Sequence, residues 1–366
     1  MKKIYDLEAE ENKKTRAFLV GLPLLQNPGG LAELDGLIWT LGMENAGQMI
    51  LQRLDVQPAY GMGSGKAKEI CQAAQEAEAD CIIMDWELDP TKQRNWEKLA
   101  KIPVFDRQEV IIRIFASRAS TKEAVLQVEL ARLEYSLPRL AHMYGDLARQ
   151  RGGNYGSKGA GEKQLELDRR QTRLKIQQLK AELAKVRQNR ATQRKRRQKI
   201  PLPTIALCGY TNAGKSSLMN ALTGSDTLVE NKLFATLDPL TRRIKLAGAE
   251  ILLTDTVGFI SNLPHQLIDA FKSTLEEAAI SDALLIVIDA SDPNALSQAK
   301  TVKDVLQEIG ADEKKTLVAL NKIDAVEEGV CLALLKDEFV GAVEISAKTG
   351  LGLGLLKERI SAIIKE

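Results

Sequence analysis

The stretch GYTNAGKSS, Gly209 to Ser217, decides the fold. From Gly209 to Ser216 it fits G-x-x-x-x-G-K-S, behind an apolar strand candidate, Thr204–Cys208, and ahead of a helical stretch, Ser217–Leu222. A turn of this kind between strand and helix aims successive backbone amides at one point, where the positive end of the helix adds to them, and so cradles phosphates. Gly209, Tyr210, Thr211, Asn212, Ala213, Gly214 and Ser217 form that cradle. Lys215 reaches the β and γ phosphates, and the Ser216 hydroxyl binds Mg²⁺.

Further motifs follow in order, each after a strand candidate. Asp255-Thr-Val-Gly258 closes ILLT; its carboxylate holds Mg²⁺, and the Gly258 amide approaches a γ-phosphate because glycine puts no side chain in the way. Asn321, Lys322 and Asp324 follow TLVAL. A carboxylate at Asp324 accepts from both the ring N–H and the exocyclic amine of guanine, donors that adenine does not present there. Charge-assisted bonds of ~1.5–3 kcal/mol each make that choice strong. Ser346, Ala347 and Lys348, after AVEI, complete the base pocket with backbone amides. Between the phosphate loop and Asp255 lies FATLDP, Phe234–Pro239, where Thr236 is the candidate ligand that senses Mg²⁺ and γ-phosphate, with Phe234 beside it. The expected catalytic set is Lys215, Thr236 and Gly258; the expected metal set is Ser216, Thr236 and Asp255. The ligand is GTP or GDP with Mg²⁺. Asn212 has two readings, a ligand for K⁺ beside the phosphates or a turn residue. After Gly258, where a glutamine often orients the attacking water, stands Phe259, which can neither donate nor accept that bond.

Outward from this site the chain changes character twice. Strand candidates Glu250–Thr254, Leu284–Asp289, Thr316–Leu320 and Ala342–Ile345 alternate with helical stretches, which predicts a parallel α/β domain over residues 201–366. Residues 121–200 carry two leucine-rich stripes at 4-3-4-3 spacing, Leu126 to Leu140 and Thr172 to Val186, around a loop with five glycines at Arg149–Lys163. They predict a long antiparallel helical hairpin, kinked or ended at Pro138. Residues 1–120 alternate strand candidates (Ala17–Leu22, Met49–Leu54, Asp80–Met84, Pro103–Phe105) with helical patterns such as Lys66–Ala79, a second, N-terminal parallel α/β domain.

Charge is uneven. Residues 151–200 hold 16 Lys/Arg against 4 Asp/Glu, while residues 201–366 hold 16 against 23. A basic block of this density meets a polyanion, or else is a solvated helix face. The run Arg187–Lys199 has seven positive charges and no negative one. No apolar run approaches the ~20 residues that span a bilayer, and no apolar stretch follows the N-terminal lysines. The four cysteines and two histidines show no metal-ligand spacing, which fits a reduced cytoplasm.

The four nucleotide motifs resemble those of the Ras-like, translation-factor class of GTPases. AYGMGSGKAKEI (Ala59–Ile70), FASRASTKEAVLQVELARLEYSLPRL (Phe115–Leu140), the glycine-rich Gly152–Arg170 stretch and RATQRKRR (Arg190–Arg197) look like the HflX family of ribosome-associated GTPases. FATLDPLTR and DTVGFISNLP look like its switches, Phe259 included. The resemblance implies binding to the ribosomal 50S subunit and its 23S rRNA, splitting of stalled or idle 70S particles, and a glycine-rich loop directed into the peptidyl-transferase region. The expected protein is a cytoplasmic monomer with no DNA partner and no stable membrane insertion. A rival is an ATP-dependent rRNA-remodelling enzyme that uses the N-terminal domain. Its only sequence support is Gly61–Lys66, which lacks the complete motif because Ala67 occupies the hydroxyl position and which also reads as a tight turn before a helix.

Overall fold

The computed structural model describes residues 14–23, 30–54, 57–150, 158–197, 202–224, 233–234, 236, 239–246, 249–261, 277–326 and 332–365; for 141–150, 158–164, 187, 189–197 and 365 it describes the backbone alone. The chain divides into two compact units, Met1–Ser117 with Leu126–Leu183, and Arg118–Val125 with Ala184–Glu366.

In the first unit, β1 (Arg16–Gly21), β2 (Glu44–Ile50), β3 (Cys81–Met84) and β4 (Val104–Asp106) make a parallel sheet of order β2-β1-β3-β4. Every residue of β3, CIIM, is buried, as befits a strand covered on both faces. The strands alternate with α1 (Gly30–Thr40), α2 (Ser64–Glu76), α3 (Pro90–Ala100) and α4 (Arg107–Arg118). Helix α3 starts where its sequence says it should. The Asp89 carboxylate accepts from the Thr91 and Lys92 amides, and Pro90 sits at the first helical position. The core gathers Phe18, Val20, Ile70, Ile82, Met84 and Trp96. Strand β2 begins at Glu44, not at the expected Met49. It is a polar edge strand, ENAGQMI, so the apolar run Met49–Leu54 pointed too far along the chain.

Two long helices follow, α5 (Lys122–Gln150) and α6 (Lys158–Arg197). The expected stripes meet: Leu130, Ile176, Leu179 and Leu183 bury against one another, flanked by Leu126, Leu133 and Leu137. The helix does not end at Pro138. Proline removes one backbone donor, the one the Glu134 carbonyl would have accepted from, and the helix carries on through it, with Arg139 Nη1 donating to the neighbouring Tyr135 carbonyl at 2.9 Å. The glycine-rich segment 151–157 lies outside the described residues, as do most side chains of the basic run.

Arg139 also joins α5 to the sheet. Its guanidinium pairs with Asp106 Oδ2 at 3.0 Å, donates to Gln93 Oε1 and the Leu88 carbonyl, and stacks on the Tyr135 ring. Asp106, fully buried at the end of β4, accepts in addition from the Tyr135 hydroxyl and from the amides of Leu88 and Glu109.

In the second unit, β5 (Thr204–Gly209), β6 (Leu240–Leu246), β7 (Ala249–Asp255), β8 (Ala283–Asp289), β9 (Lys315–Asn321) and β10 (Val343–Glu344) form one sheet of order β10-β9-β8-β5-β7-β6. All pairings are parallel except β6 with β7. Among the described residues its helices include α7 (Lys215–Thr223), α8 (Ala295–Glu308), α9 (Leu332–Glu338) and α10 (Leu353–Lys365), and residues 277–280 are also helical. The core under the site contains Leu207, Leu218, Leu253, Leu285, Val287 and Ile360. Strand β6, LTRRIKL, was not expected from the sequence. Only Ile244 and Leu246 are buried in it, so the strand carries too little apolar alternation to stand out.

Candidate nucleotide site

The site forms where β5, β7 and β9 end. β5 runs at the centre of the sheet and delivers Gly209 into the loop ahead of α7. Helix α7 starts directly after Gly214, whose backbone is left-handed at φ 91°. A β-carbon at Gly214 would collide with Asn321 Nδ2. Glycine is therefore required there by backbone shape and by space.

Lys215 is 6% exposed, and its Nζ donates to the carbonyls of Gly209 at 3.0 Å and Tyr210 at 2.7 Å, folded back over the loop. Burial lowers its ammonium to about 8, against the pull of Asp255. The expected metal set comes together. Ser216 Oγ donates to Asp255 Oδ2 at 2.7 Å, Thr236 Oγ1 donates to the same oxygen at 3.1 Å, and the two hydroxyls lie 2.9 Å apart. Burial pushes the Asp255 carboxyl up, opposed by Lys215 and by these two hydroxyls. Its other oxygen, Oδ1, is buried with no hydrogen-bond partner.

Gly258 lies against the phosphate loop. A β-carbon there would stand 2.8 Å from Thr211 Cα and 3.0 Å from Lys215 Nζ, closer than a real side chain allows. Beyond it the chain is stitched to the loop: Phe259 N donates to the Gly209 carbonyl at 3.1 Å, and Thr211 N donates to the Phe259 carbonyl at 2.7 Å. The Phe259 side chain is 1% exposed, packed away from solvent. Phe234 is also buried, with a left-handed φ of 55°.

The base-binding motifs are tied to the phosphate loop by one side chain. Asn321, at the end of β9 and 1% exposed, donates from Nδ2 to the Ala213 carbonyl at 2.8 Å and accepts at Oδ1 from the Ala347 amide at 3.0 Å. Ile323 N donates to the Ile345 carbonyl at 3.3 Å, and Ser346 Oγ accepts from the Thr349 amide at 3.0 Å. Asp324, in the short turn Ile323–Ala325, and Lys348 are both exposed. Lys322 Nζ pairs with Asp289 Oδ2 at 2.6 Å.

Several participants were missed in the sequence. Asp289, at the end of β8, anchors Lys322, and the Ser261 amide donates to the hydroxyl of Tyr210, a residue already expected in the cradle, at 2.6 Å. Thr256 Oγ1 donates to the Leu207 carbonyl at 2.7 Å. The position of Asp289 directly after an apolar strand was the one available signal. Asn212 is exposed and left-handed at φ 60°. Gly61–Gly63 form a bend ahead of α2 and Ser64–Lys66 are its first turn, with Lys66 paired to Glu69 at 2.8 Å on the helix surface. No described helix is long and apolar enough to cross a membrane, and the described residues hold no cluster of three His, Cys, Asp or Glu fit for a metal ion.

Comparison with known proteins agrees with this geometry. Family models described as "GTP-binding GTPase N-terminal", "GTP-binding GTPase Middle Region" and "50S ribosome-binding GTPase" match residues 29–116, 118–197 and 204–322. A protein of Akkermansia muciniphila named GTPase HflX is 46% identical over 368 residues, covering 96% of this chain and 84% of the relative. The GTPase HflX of Escherichia coli is 41% identical over 342 residues, 92% of this chain and 80% of the relative. A solved structure, described as a complex of SsGBP and GDP, aligns over 96% of this chain and 98% of its own length with a TM-score of 0.54 and 28% identity. With a phosphate loop, a guanine motif and relatives at this identity over nearly its whole length, the chain belongs to the HflX family of GTPases and is a GTP hydrolase.

Proposed function

We propose that this GTPase works on the ribosome, binding the 50S subunit through 23S rRNA and separating stalled or idle 70S particles, with GTP favouring the bound state and hydrolysis releasing it. The supporting observation is the distribution of charge. The GTPase domain is acidic, 16 Lys/Arg against 23 Asp/Glu, so rRNA repels it at long range, whereas residues 151–200 hold 16 against 4. Attraction to RNA phosphate therefore falls to the hairpin, and it should decline steeply with salt. Within the described part of α6, Arg169, Arg170 and Arg173 line a groove of about 520 Å³. One of the matching family models, described as a 50S ribosome-binding GTPase, supports the same reading.

Mg²⁺ fits the chain's own residues. The Asp255 Oδ1 left without a partner and the Ser216 and Thr236 hydroxyls beside Oδ2 supply oxygen donors of the kind a small hard cation takes. Held there, Mg²⁺ would supply charge neutralisation for the β and γ phosphates. Lys215 would add a second positive charge, the Gly258 amide would face the γ-phosphate, and Asp324 with the Lys348 amide would hold the guanine, while the Ala347 amide is taken by Asn321 Oδ1. The three parts of the notional architecture are an N-terminal domain over 1–120, the hairpin over 121–200 and the GTPase domain over 201–366.

The test is sedimentation with ribosomes in GDP, GTP and a non-hydrolysable analogue, across a salt series. Replacing Arg194, Lys195, Arg196 and Arg197 by glutamine should weaken binding and flatten its salt dependence while GTP affinity holds. Pelleting like the unmodified chain at every salt concentration would remove the hairpin from this role.

A further inference from the structure

Phe259 leaves the reaction without its usual water-positioning group, and the structure shows which side chain is placed to supply one. The phenylalanine is 1% exposed, and both its amide and its carbonyl are engaged by the phosphate loop. Its ring offers no hydrogen bond, and its backbone polar groups are already committed to the loop. Thr211 stands directly opposite. It is 7% exposed, yet its Oγ1 is buried with no hydrogen-bond partner, one of two such side-chain atoms among the described residues of this site. The other, Asp255 Oδ1, faces the cation reading already given.

We propose that the Thr211 hydroxyl holds the attacking water in GTP hydrolysis. The placement follows from the backbone and methyl of Thr211, the residue that carries the unpartnered hydroxyl, which share one small volume with Gly258 and Lys215. A β-carbon at Gly258 would lie 2.8 Å from Thr211 Cα, 2.9 Å from Thr211 Cγ2 and 3.0 Å from Lys215 Nζ. Gly258 and Lys215 are the two groups that bracket a γ-phosphate, so Thr211 lies on the γ-phosphoryl side of the loop. The residue is also held still: its amide donates to the Phe259 carbonyl at 2.7 Å, which fixes the backbone from which the hydroxyl projects. A hydroxyl both donates and accepts, as the missing glutamine amide does. A valine of nearly the same shape would fill this buried position without leaving a polar atom unpaired, so packing alone gives no reason for threonine.

Thr211 acts by position and not as a base, because an alcohol is far too weak an acid-base group to take the proton. The water oxygen forms its bond to the γ-phosphorus as the bond from that phosphorus to the β–γ bridging oxygen breaks. GDP leaves with the electron pair, and the water's proton passes to a γ-phosphate oxygen. No further reactant is needed. Thr211 is thus a positioning residue for the hydrolysis the family carries out, and the inference rests on the nucleotide and Mg²⁺ site as read above.

The experiment is single-turnover GTP hydrolysis by the full chain, with GDP and a non-hydrolysable GTP analogue titrated in parallel. Thr211→Val should lower the hydrolysis rate by at least about tenfold, the range in which positioned polar groups act, with GDP and analogue affinity unchanged. Thr211→Ser, which keeps the hydroxyl and drops the methyl, should recover most of the rate. A Thr211→Val rate within about twofold of the unmodified chain would overturn the proposal. So would equal losses in the valine and serine variants, or a fall in GDP affinity matching the fall in rate, since each marks a packing role. Ser216→Ala separates the underlying site from this inference. If that variant still binds and hydrolyses GTP normally with Mg²⁺, the site reading fails; if it is inactive while Thr211→Val is not, only the role of Thr211 fails.

Discussion

Asn321 and Ala213 join the two halves of the nucleotide site: the asparagine Nδ2 donates to the Ala213 carbonyl at 2.8 Å, while its Oδ1 accepts from the Ala347 amide at 3.0 Å. One side chain therefore sets the spacing between phosphate loop and base loop. Asn321→Ala removes two buried hydrogen bonds and leaves a carbonyl and an amide unpaired. We expect a loss of about 2–3 kcal/mol, shared between stability and GDP affinity. Thermal unfolding with and without GDP measures both. A variant that binds GDP and unfolds like the unmodified chain would leave the bridge without a function.

Base choice should rest on Asp324, which the short turn after Asn321 leaves exposed. Asp324→Asn is expected to shift preference from GTP to xanthosine triphosphate, whose base carries a carbonyl where guanine carries an amine. Competition binding with the two nucleotides reads the shift. Unchanged GTP affinity with no gain for the xanthine nucleotide would refute the assignment.

Nucleotide binding should be linked to protons through Lys215. Burial lowers its ammonium to about 8 in the free protein, and phosphate charge beside it must raise that value in the complex. Between the two values the free lysine is neutral and the bound one protonated, so binding takes up a proton and GDP affinity falls as pH rises above about 8. Calorimetry roughly one unit above and one unit below that value, in buffers of different ionisation enthalpy, detects the uptake. Binding independent of pH across this window would show that Lys215 does not change charge.

The buried pair Arg139–Asp106 should carry much of the stability of the first unit. Asp106 is fully buried, so Arg139→Leu strands its carboxylate and is expected to cost about 3–5 kcal/mol. Denaturant unfolding of the full chain measures this, and replacing both residues by apolar ones should recover part of the loss. A destabilisation under about 1 kcal/mol would mean that the pair behaves as a solvated one.

Asn212 occupies a left-handed turn, φ 60°, which asparagine tolerates, and its exposed side chain faces solvent at the loop. We expect hydrolysis to run faster in K⁺ than in Na⁺, and Asn212→Gly, which keeps the turn, to abolish the difference. Equal rates in the two salts would leave Asn212 its turn role alone.

By itself, the sequence determined the parts of this protein that depend on local spacing. Gly209–Ser216, Asp255–Gly258 and Asn321–Asp324 are legible because each chemistry needs particular residues a few positions apart, right after an apolar strand. The hairpin was legible because the stripes Leu126–Leu137 and Ile176–Leu183 repeat with the helical period and bury each other. What needed the tertiary structure was whatever depends on distance through space. The edge strands β2 and β6 carry few buried residues, so alternation did not reveal them. Pro138 sits inside a helix that runs on past it, because a single lost hydrogen bond is small against a helix whose apolar stripe is buried along its length. Asp289 against Lys322, Asn321 across to Ala213 and the unpartnered hydroxyl of Thr211 opposite Phe259 join residues far apart in the chain. No local pattern encodes such pairs, because the sheet order that brings β5, β7, β8 and β9 together is set by burying their apolar faces in a common core.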